Sequence, residues 1–220
     1  MPQRLPTTPV TGESEVVYAL AVIALGAVAS ASGILPAAPS GRVASADTVA
    51  TYRIDVGHSD ISFRIRHLMS RTRGTFNEWA GTITADPADW STGKVEVTIQ
   101  AASIDTRHER RDADLRSDNF LDVETFPTIT FKSTRVEVTG TTLAISGDLT
   151  IRDVTRPVVL HGEFLGATGK GTPRERIGFE AATTINRLDY GVKWNRALEG
   201  GGVLLGDDLE ISIGIEAVRM

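Results

Sequence analysis

From Thr51 to the C terminus, apolar and polar residues alternate with a period of two. The clearest runs are Ile61, Phe63 and Ile65 near the start of this region and Leu209, Ile211, Ile213 and Ile215 near its end. Alternate side chains of a β-strand point to opposite faces, so each run predicts a strand with one buried face. About eight to ten such segments, separated by glycine-containing turns, occur in roughly 170 residues. This density predicts a single all-β domain, built as a sandwich or a barrel.

The number of large side chains indicates how completely the interior of such a domain is filled. An eight-stranded barrel has no edge strands, and it either fills its interior with side chains or holds one ligand. The inward-facing residues here are mostly Ile, Val, Ala and Thr, and the whole chain has only 7 Phe, 3 Trp and 3 Tyr. So few aromatic side chains leave the interior underfilled, which indicates a cavity.

One segment breaks the alternation. Residues 108–117, HERRDADLRS, are rich in charge and in helix formers, which predicts one short exposed helix before the next strand. Its charges have two interpretations. Either they pair with one another on a solvated face, or Arg110 and Arg111 hold a pyrophosphate group, for which the arginine fork is well suited.

The first 46 residues do not share the strand pattern. Residues 16–29, VVYALAVIALGAVA, form an uncharged apolar stretch that suits the hydrophobic region of a signal peptide. The small residues 44–46 offer a cleavage site; an uncleaved membrane anchor and a start without a targeting role are the alternatives. We therefore predict a signal or anchor segment at 1–46, the β-domain at 47–220, and an extracytoplasmic location that is periplasmic, secreted or membrane-anchored.

Composition argues against several classes of function. A net charge of -5 and a pI of about 5.4 provide no basic surface for nucleic acid. The chain has no cysteine, and its 4 histidines lack the spacing of metal ligands, so we predict no metal site. No nucleophile triad or paired-carboxylate arrangement is recognisable, so we predict no catalytic residue. His67 differs from the other histidines because it ends a strand where the chain turns at a barrel mouth.

Several motifs occur together in the order typical of one protein family. They are His58-Ser59 with Phe63 and His67; Gly74-x-Phe76 and Gly81; Ser103-Ile104-Asp105-Thr106; Arg111-Asp112 with Leu115-Arg116-Ser117 and Phe120; Phe126 to Ser133; Gly147 to Arg152; Thr155 to Val158; and Ile185-Asn186-Arg187 with Tyr190-Gly191. On these motifs, the chain from about Thr51 to Val218 resembles the YceI-like family of lipocalin-like barrels that bind polyisoprenoids. One departure is Asp114, where many members carry a histidine.

The resemblance implies an all-β fold with a single antiparallel eight-stranded lipocalin-like barrel and one short helix. It implies that the protein binds and carries or sequesters a polyisoprenoid, an isoprenoid quinone or a similar amphiphile, without chemistry of its own and without another cofactor. The alternatives are a lipid-modifying enzyme that uses the same cavity through His67 or Asp112, and a packed barrel that is the partner of a membrane redox protein. A homodimer is compatible with each of them.

The strand alternation and the resemblance together predict which residues contact the lipid. The predicted cavity lining consists of Ile61, Phe63, Ile65, Phe76, Phe126 and Phe131. The residues predicted to meet the polar headgroup are His67, Asp105, Arg111 and Asp112.

Overall fold

The computed structural model describes residues 49–199 and 201–220. The predicted signal or anchor segment at 1–46 lies outside the described residues. Within the described part of the chain, no helix has the length and apolar character needed to cross a membrane.

The described residues form strands, one α-helix and three short 3-10 helices. The strands are β1 (Ala50–Ile54), β2 (Asp60–His67), β3 (Ser70–Phe76), β4 (Trp79–Asp86), β5 (Asp89–Gln100), β6 (Ile104–Asp105), β7 (Thr128–Thr139), β8 (Thr142–Ile151), β9 (Val154–Thr168), β10 (Arg176–Asn186) and β11 (Leu205–Arg219). The helix α1 (Glu109–Arg116) lies between β6 and β7, as predicted, and the 3-10 helices are Val56–His58, Ala101–Ser103 and Arg187–Tyr190.

Consecutive strand segments join into the continuous strands of one barrel. β1 and β2 pair with the same edge of β11, β1 with residues 217–219 and β2 with residues 205–214. β4 and β3 pair with the other edges of β1 and β2, and β5 and β6 pair with β4 and β3 in turn. These six segments are therefore three kinked strands, and β7 to β11 bring the total to eight. Because β11 pairs with the first strand, the sheet closes, and the predicted eight-stranded antiparallel barrel is confirmed.

The three kinks lie side by side in the wall. They occur at the 3-10 helix Val56–His58, at residues 77–78 and at the 3-10 helix Ala101–Ser103. Backbone hydrogen bonds continue across two of them, from Asn77 N to Ser103 O at 3.2 Å and from Gln100 N to Glu78 O at 2.9 Å. The hydrogen bonding between these two neighbouring strands therefore continues through the bend.

Two phenylalanine rings pack against strand glycines on the inner face of the barrel. Phe63 lies directly opposite Gly74, and a methyl group at Gly74 would lie 2.3 Å from Cζ of Phe63. A methyl group at Gly147 would lie 2.5 Å from Cζ of Phe131 and 2.6 Å from the backbone oxygen of Lys132. Each glycine therefore provides the space that an aromatic ring occupies against the wall.

Replacing Gly147 by Ala is expected to lower the free energy of unfolding by about 1 to 3 kcal/mol, because the added methyl group overlaps backbone as well as the ring. Gly178→Ala is the matched control in another strand, since the nearest atom to its added methyl group is 3.6 Å away. Urea unfolding of both variants measures the difference. Equal stability of the two variants would contradict this account of Gly147.

Candidate functional site

An apolar cavity of about 350 Å³ occupies the interior of the barrel. Every barrel strand contributes lining residues, mostly the aliphatic members of its alternating pattern. Examples from six different strand segments are Ile54, Ile61, Ile83, Val97, Leu149 and Ile213. The volume falls within the range typical of small-molecule sites, and a lining of this kind favours an apolar ligand.

Aromatic side chains pack across one end of the interior, which we call the closed end. The Trp90 ring lies 6.1 Å from Tyr52, 5.2 Å from Phe164 and 5.5 Å from Phe179, measured between ring centroids. Tyr52 is fully buried, and burial together with the negative charge of Glu175 raises its pKa to about 12. The phenol is therefore neutral at physiological pH and adds no charge to this end of the cavity.

An ion pair between buried Glu175 and partly exposed Arg219 reinforces the same end from outside the aromatic cluster. Glu175 is buried, accepts a hydrogen bond from Arg219 Nη1 at 2.9 Å and accepts a second from the Gly171 amide at 3.1 Å. Burial alone would raise the pKa of Glu175, but these hydrogen bonds outweigh it and hold the pKa below its usual value. The pair ties the last strand to the turn that precedes β10.

Polar lining is concentrated at the opposite end, which we call the mouth. Apart from Glu180 on β10, the titratable residues that line the cavity are all found there, namely His67, Arg111, Asp114, Arg187 and Tyr190. They are supplied by the end of β2, by α1 and by the 3-10 helix that follows β10. A ligand in this cavity therefore meets apolar groups along its length and charged groups at one end.

Arg111 is held at the mouth by a short chain of hydrogen bonds. Its Nε donates to the Thr106 hydroxyl oxygen at 2.7 Å, and its Nη2 donates to the Thr106 carbonyl oxygen at 2.8 Å. The Thr106 hydroxyl and amide in turn donate to the buried carboxylate of Asp112, the amide at 2.9 Å. Burial would raise the pKa of Asp112, but the bonds from Thr106 outweigh it and keep the pKa below its usual value. The negative charge of Asp112 thus fixes Thr106, and Thr106 orients Arg111.

Five of the six residues predicted to line the cavity do line it. They are Ile61, Phe63, Ile65, Phe76 and Phe131. Phe126 does not, and its ring lies under the Arg152 guanidinium, with 5.4 Å from Cζ to the ring centroid. The reason is that Phe126 precedes β7 and is out of phase with its inward residues Ile129 and Phe131.

The four residues predicted to meet a headgroup divide into two pairs. His67 and Arg111 line the cavity. Asp105 does not, because its carboxylate accepts hydrogen bonds from the Arg107 amide at 2.7 Å and from the Asn77 side chain at 3.3 Å. Asp112 lies behind Arg111, bonded to Thr106, and does not reach the cavity.

The interpretation of α1 as a solvated face tied by its own ion pairs is not what the structure shows. Among the described residues, no ion pair involves a residue of α1. Arg116 instead donates to the carbonyl oxygens of Ala102 and Ile104, both at 2.7 Å. Arg111 and Arg116 therefore bind Thr106 and backbone carbonyl groups and form no direct ion pair with a described carboxylate, although the charge of Arg116 helps to lower the pKa of Asp112.

The described residues hold one group with the composition of a cation site, on the outer wall at the first kink. It consists of Asp55, His58 and Glu216. The guanidinium of Arg176 already donates to both carboxylates, at 3.0 Å to Asp55. The hydrogen bonds from Arg176 and His58 lower the pKa of Asp55, so the arginine takes the place of a cation there.

Comparison with known proteins identifies the family. Residues 52–217 match the family model described as a YceI-like domain. The chain belongs to the YceI-like family. A UPF0312 protein of Pseudomonas paraeruginosa is 38% identical over 173 residues, which make up 77% of this chain and 87% of that protein.

Solved structures share the fold of this YceI-like chain. Burkholderia cenocepacia BcnA is 20% identical, has a TM-score of 0.67, and the match covers 75% of this chain and 99% of BcnA. A polyisoprenoid binding domain from Saccharophagus degradans, implicated in plant cell wall breakdown, is 16% identical with a TM-score of 0.57, over 78% of this chain and 99% of that domain. At these identities the likeness establishes the fold alone.

Several residues at the two ends of the cavity were missed by the sequence reasoning. Arg187 is buried beside the mouth and donates to the carbonyl oxygens of Val192, Trp194 and Gly206 at 2.6, 2.9 and 2.8 Å. It thereby folds the segment between β10 and β11 against the barrel, and desolvation by burial lowers its pKa. The motif Ile185-Asn186-Arg187 was the available signal, but spacing alone assigned it no role. Trp90, at the closed end, carried no signal beyond being a rare large side chain.

Replacing Glu175 by Gln tests the ion pair at the closed end. Because the folded-state pKa of Glu175 lies below its usual value of 4.5, its charge stabilises the fold above about pH 4.5, and this contribution is lost as the pH falls through the folded-state pKa. We expect wild type to exceed Glu175→Gln in free energy of unfolding by about 2 kcal/mol at neutral pH. This difference in free energy of unfolding, measured by urea titration, should become smaller at acidic pH. A gap that does not depend on pH, or an equal loss in the exposed control Glu124→Gln, would contradict the prediction.

Proposed function

We propose that this YceI-like protein binds one long apolar lipid inside the barrel and carries or sequesters it. The observation that carries the proposal is the apolar cavity with charged lining at its mouth. An amphiphile has the same distribution, with a long chain that avoids water and one polar end. The polyisoprenoid binding of the structural neighbour from Saccharophagus degradans supports a ligand of this class.

Burial of the chain supplies the affinity in this proposal. Each methylene group removed from water contributes about 0.8 kcal/mol, so a long prenyl tail needs few polar contacts. Aliphatic walls have no directional groups, which makes chain recognition loose. A polyisoprenoid, an isoprenoid quinone or a similar amphiphile is accommodated on this basis.

Arg111 is the residue that we assign to the ligand's polar end, with His67 beside the same cavity. Thr106 occupies Nε and Nη2 of Arg111, while Nη1 forms no hydrogen bond within the described part of the chain. Thr106 thus orients the guanidinium through Nε and Nη2, and Nη1 remains able to donate to a ligand. A phosphate or pyrophosphate accepts such paired donors, and its charge complements an arginine that has no carboxylate partner.

We propose binding without catalysis. Asp112 is the carboxylate named for an enzymatic alternative. Its Oδ1 accepts hydrogen bonds from the Thr106 amide and hydroxyl, and the side chain does not line the cavity. The apolar stretch at residues 16–29 supports an extracytoplasmic location, as a signal or an anchor, for this carrier.

Native mass spectrometry of the protein purified from its own host tests the proposal. We expect a non-covalent adduct of several hundred daltons or more that is released on unfolding and partitions into organic solvent. The same spectrum reports whether the protein is a monomer or a homodimer. A protein that remains free of adduct after incubation with prenyl lipids would overturn the carrier function and favour the packed barrel that docks a redox partner.

Arg111→Ala tests the assignment of the headgroup. The variant should bind a prenyl pyrophosphate about 1.5 to 3 kcal/mol more weakly than wild type, the scale of a hydrogen bond to a charged group, and should bind an uncharged prenyl alcohol as before. Arg110→Ala is the matched control, since Arg110 is exposed on the same helix and does not line the cavity. The affinity of wild type, Arg111→Ala and Arg110→Ala for each lipid is measured by displacement of a bound fluorescent fatty acid. If Arg111→Ala binds both lipids as tightly as wild type does, Arg111 does not contact the headgroup.

A further inference from the structure

The hairpin formed by β2 and β3 concentrates positive charge beside the mouth. No acidic residue occurs between Asp60 and Glu78, although the whole chain has a net charge of -5. On the outer face of the hairpin, Arg64 lies directly opposite Arg73, and Arg66 lies opposite Arg71. Like charges in directly opposed positions destabilise a sheet, so this arrangement has a cost.

That cost is only partly offset within the protein. Glu210 on the neighbouring strand β11 forms ion pairs with Arg64 and with Arg71, the latter at 2.9 Å. Arg66 and Arg73 are exposed and form no ion pair with any described residue. The hairpin therefore presents two positive charges that no carboxylate of the described chain neutralises.

The tip of the same hairpin is apolar and strained. His67 pairs with Ser70, so Leu68 and Met69 form a two-residue turn. Leu68 has a φ of 53°, a conformation that favours glycine or asparagine at such turns. Leu68 is nearly half exposed and Met69 is fully exposed. Two large apolar side chains thus stand where a polar turn would be more stable in water.

This tip lies at the entrance to the cavity. The Leu68 amide donates to the Leu204 carbonyl oxygen at 2.9 Å, which ties the tip to the segment before β11. His67 and Leu204, the residues next to this contact, both line the cavity. Val203, adjacent to Leu204, adds another exposed apolar side chain.

We infer that this hairpin docks the mouth of the barrel on an anionic lipid membrane. Leu68 and Met69 enter the interfacial layer, while Arg66 and Arg73 meet the negatively charged headgroups. Charge complementarity selects a membrane that carries anionic lipids, since basic residues beside such a surface each strengthen binding and do so less at high salt. The docked mouth would let an apolar chain pass between bilayer and cavity without crossing water. This inference rests on the proposed lipid-binding function for its purpose, but it stands on surface residues outside the cavity.

Flotation of the full chain with vesicles tests the inference. Wild type should float to a greater extent with vesicles of phosphatidylcholine and phosphatidylglycerol than with vesicles of phosphatidylcholine alone. Arg66→Gln combined with Arg73→Gln should weaken binding to the anionic vesicles by roughly tenfold or more, and Met69→Ser should weaken it as well. Arg135→Gln combined with Arg174→Gln is the matched control, because it removes the same charge from exposed positions outside the hairpin.

The outcomes separate docking from lipid binding. Equal flotation of wild type with the two kinds of vesicle, or equal losses in the two double variants, would overturn the docking inference. Loading of a fluorescent prenyl lipid in vesicle-free solution is measured on the same proteins, and the hairpin variants should load like wild type. Normal loading without flotation leaves the carrier function intact, whereas flotation without loading in wild type contradicts the carrier function alone. If flotation fails, the basic hairpin is better explained as a binding surface for an acidic protein partner.

Discussion

Backbone hydrogen bonds between β11 and the first strand close the sheet, and the interior exists because of that closure. β11 pairs with β2 over most of its length and with β1 at its last residues, across the kink at Val56–His58. Closure satisfies donors and acceptors that an edge strand would expose, and it removes one face of each strand from solvent. Without that pairing, the inward residues of β2 and β11 would be the apolar surface of an open sheet.

The interior stays open because its largest side chains lie at the wall or at the two ends. Phe63 and Phe131 pack against Gly74 and Gly147, where any larger residue would collide with the ring. Trp90 and its aromatic neighbours lie at the closed end, next to the ion pair of Glu175 and Arg219. Aliphatic side chains make up most of the remaining lining, and they are too small to fill an eight-stranded barrel.

The mouth combines a fixed polar group with a surface suited to delivery. Asp112 anchors Thr106, which orients Arg111, so the guanidinium is directed before any ligand arrives and loses little freedom on binding. The hairpin with Leu68 and Met69 stands beside this group and is tied to Leu204. Headgroup recognition and membrane contact, as proposed, would therefore occur at one end of the barrel, with the closed end facing away.

The sequence by itself determined the strands, the short helix and the inward face of each strand, since a period of two or 3.6 residues follows from local backbone geometry. It therefore predicted that Phe63 and Phe131 share a buried face, and its motif order predicted the closed barrel. Tertiary structure alone decided which segments merge into eight strands, and that Trp90 and Arg187 reach the cavity. It also turned Asp105 and Asp112 away from the lumen, through hydrogen bonds to Arg107, Asn77 and Thr106. Such positions depend on contacts between distant segments, and periodicity along one strand carries no information about them.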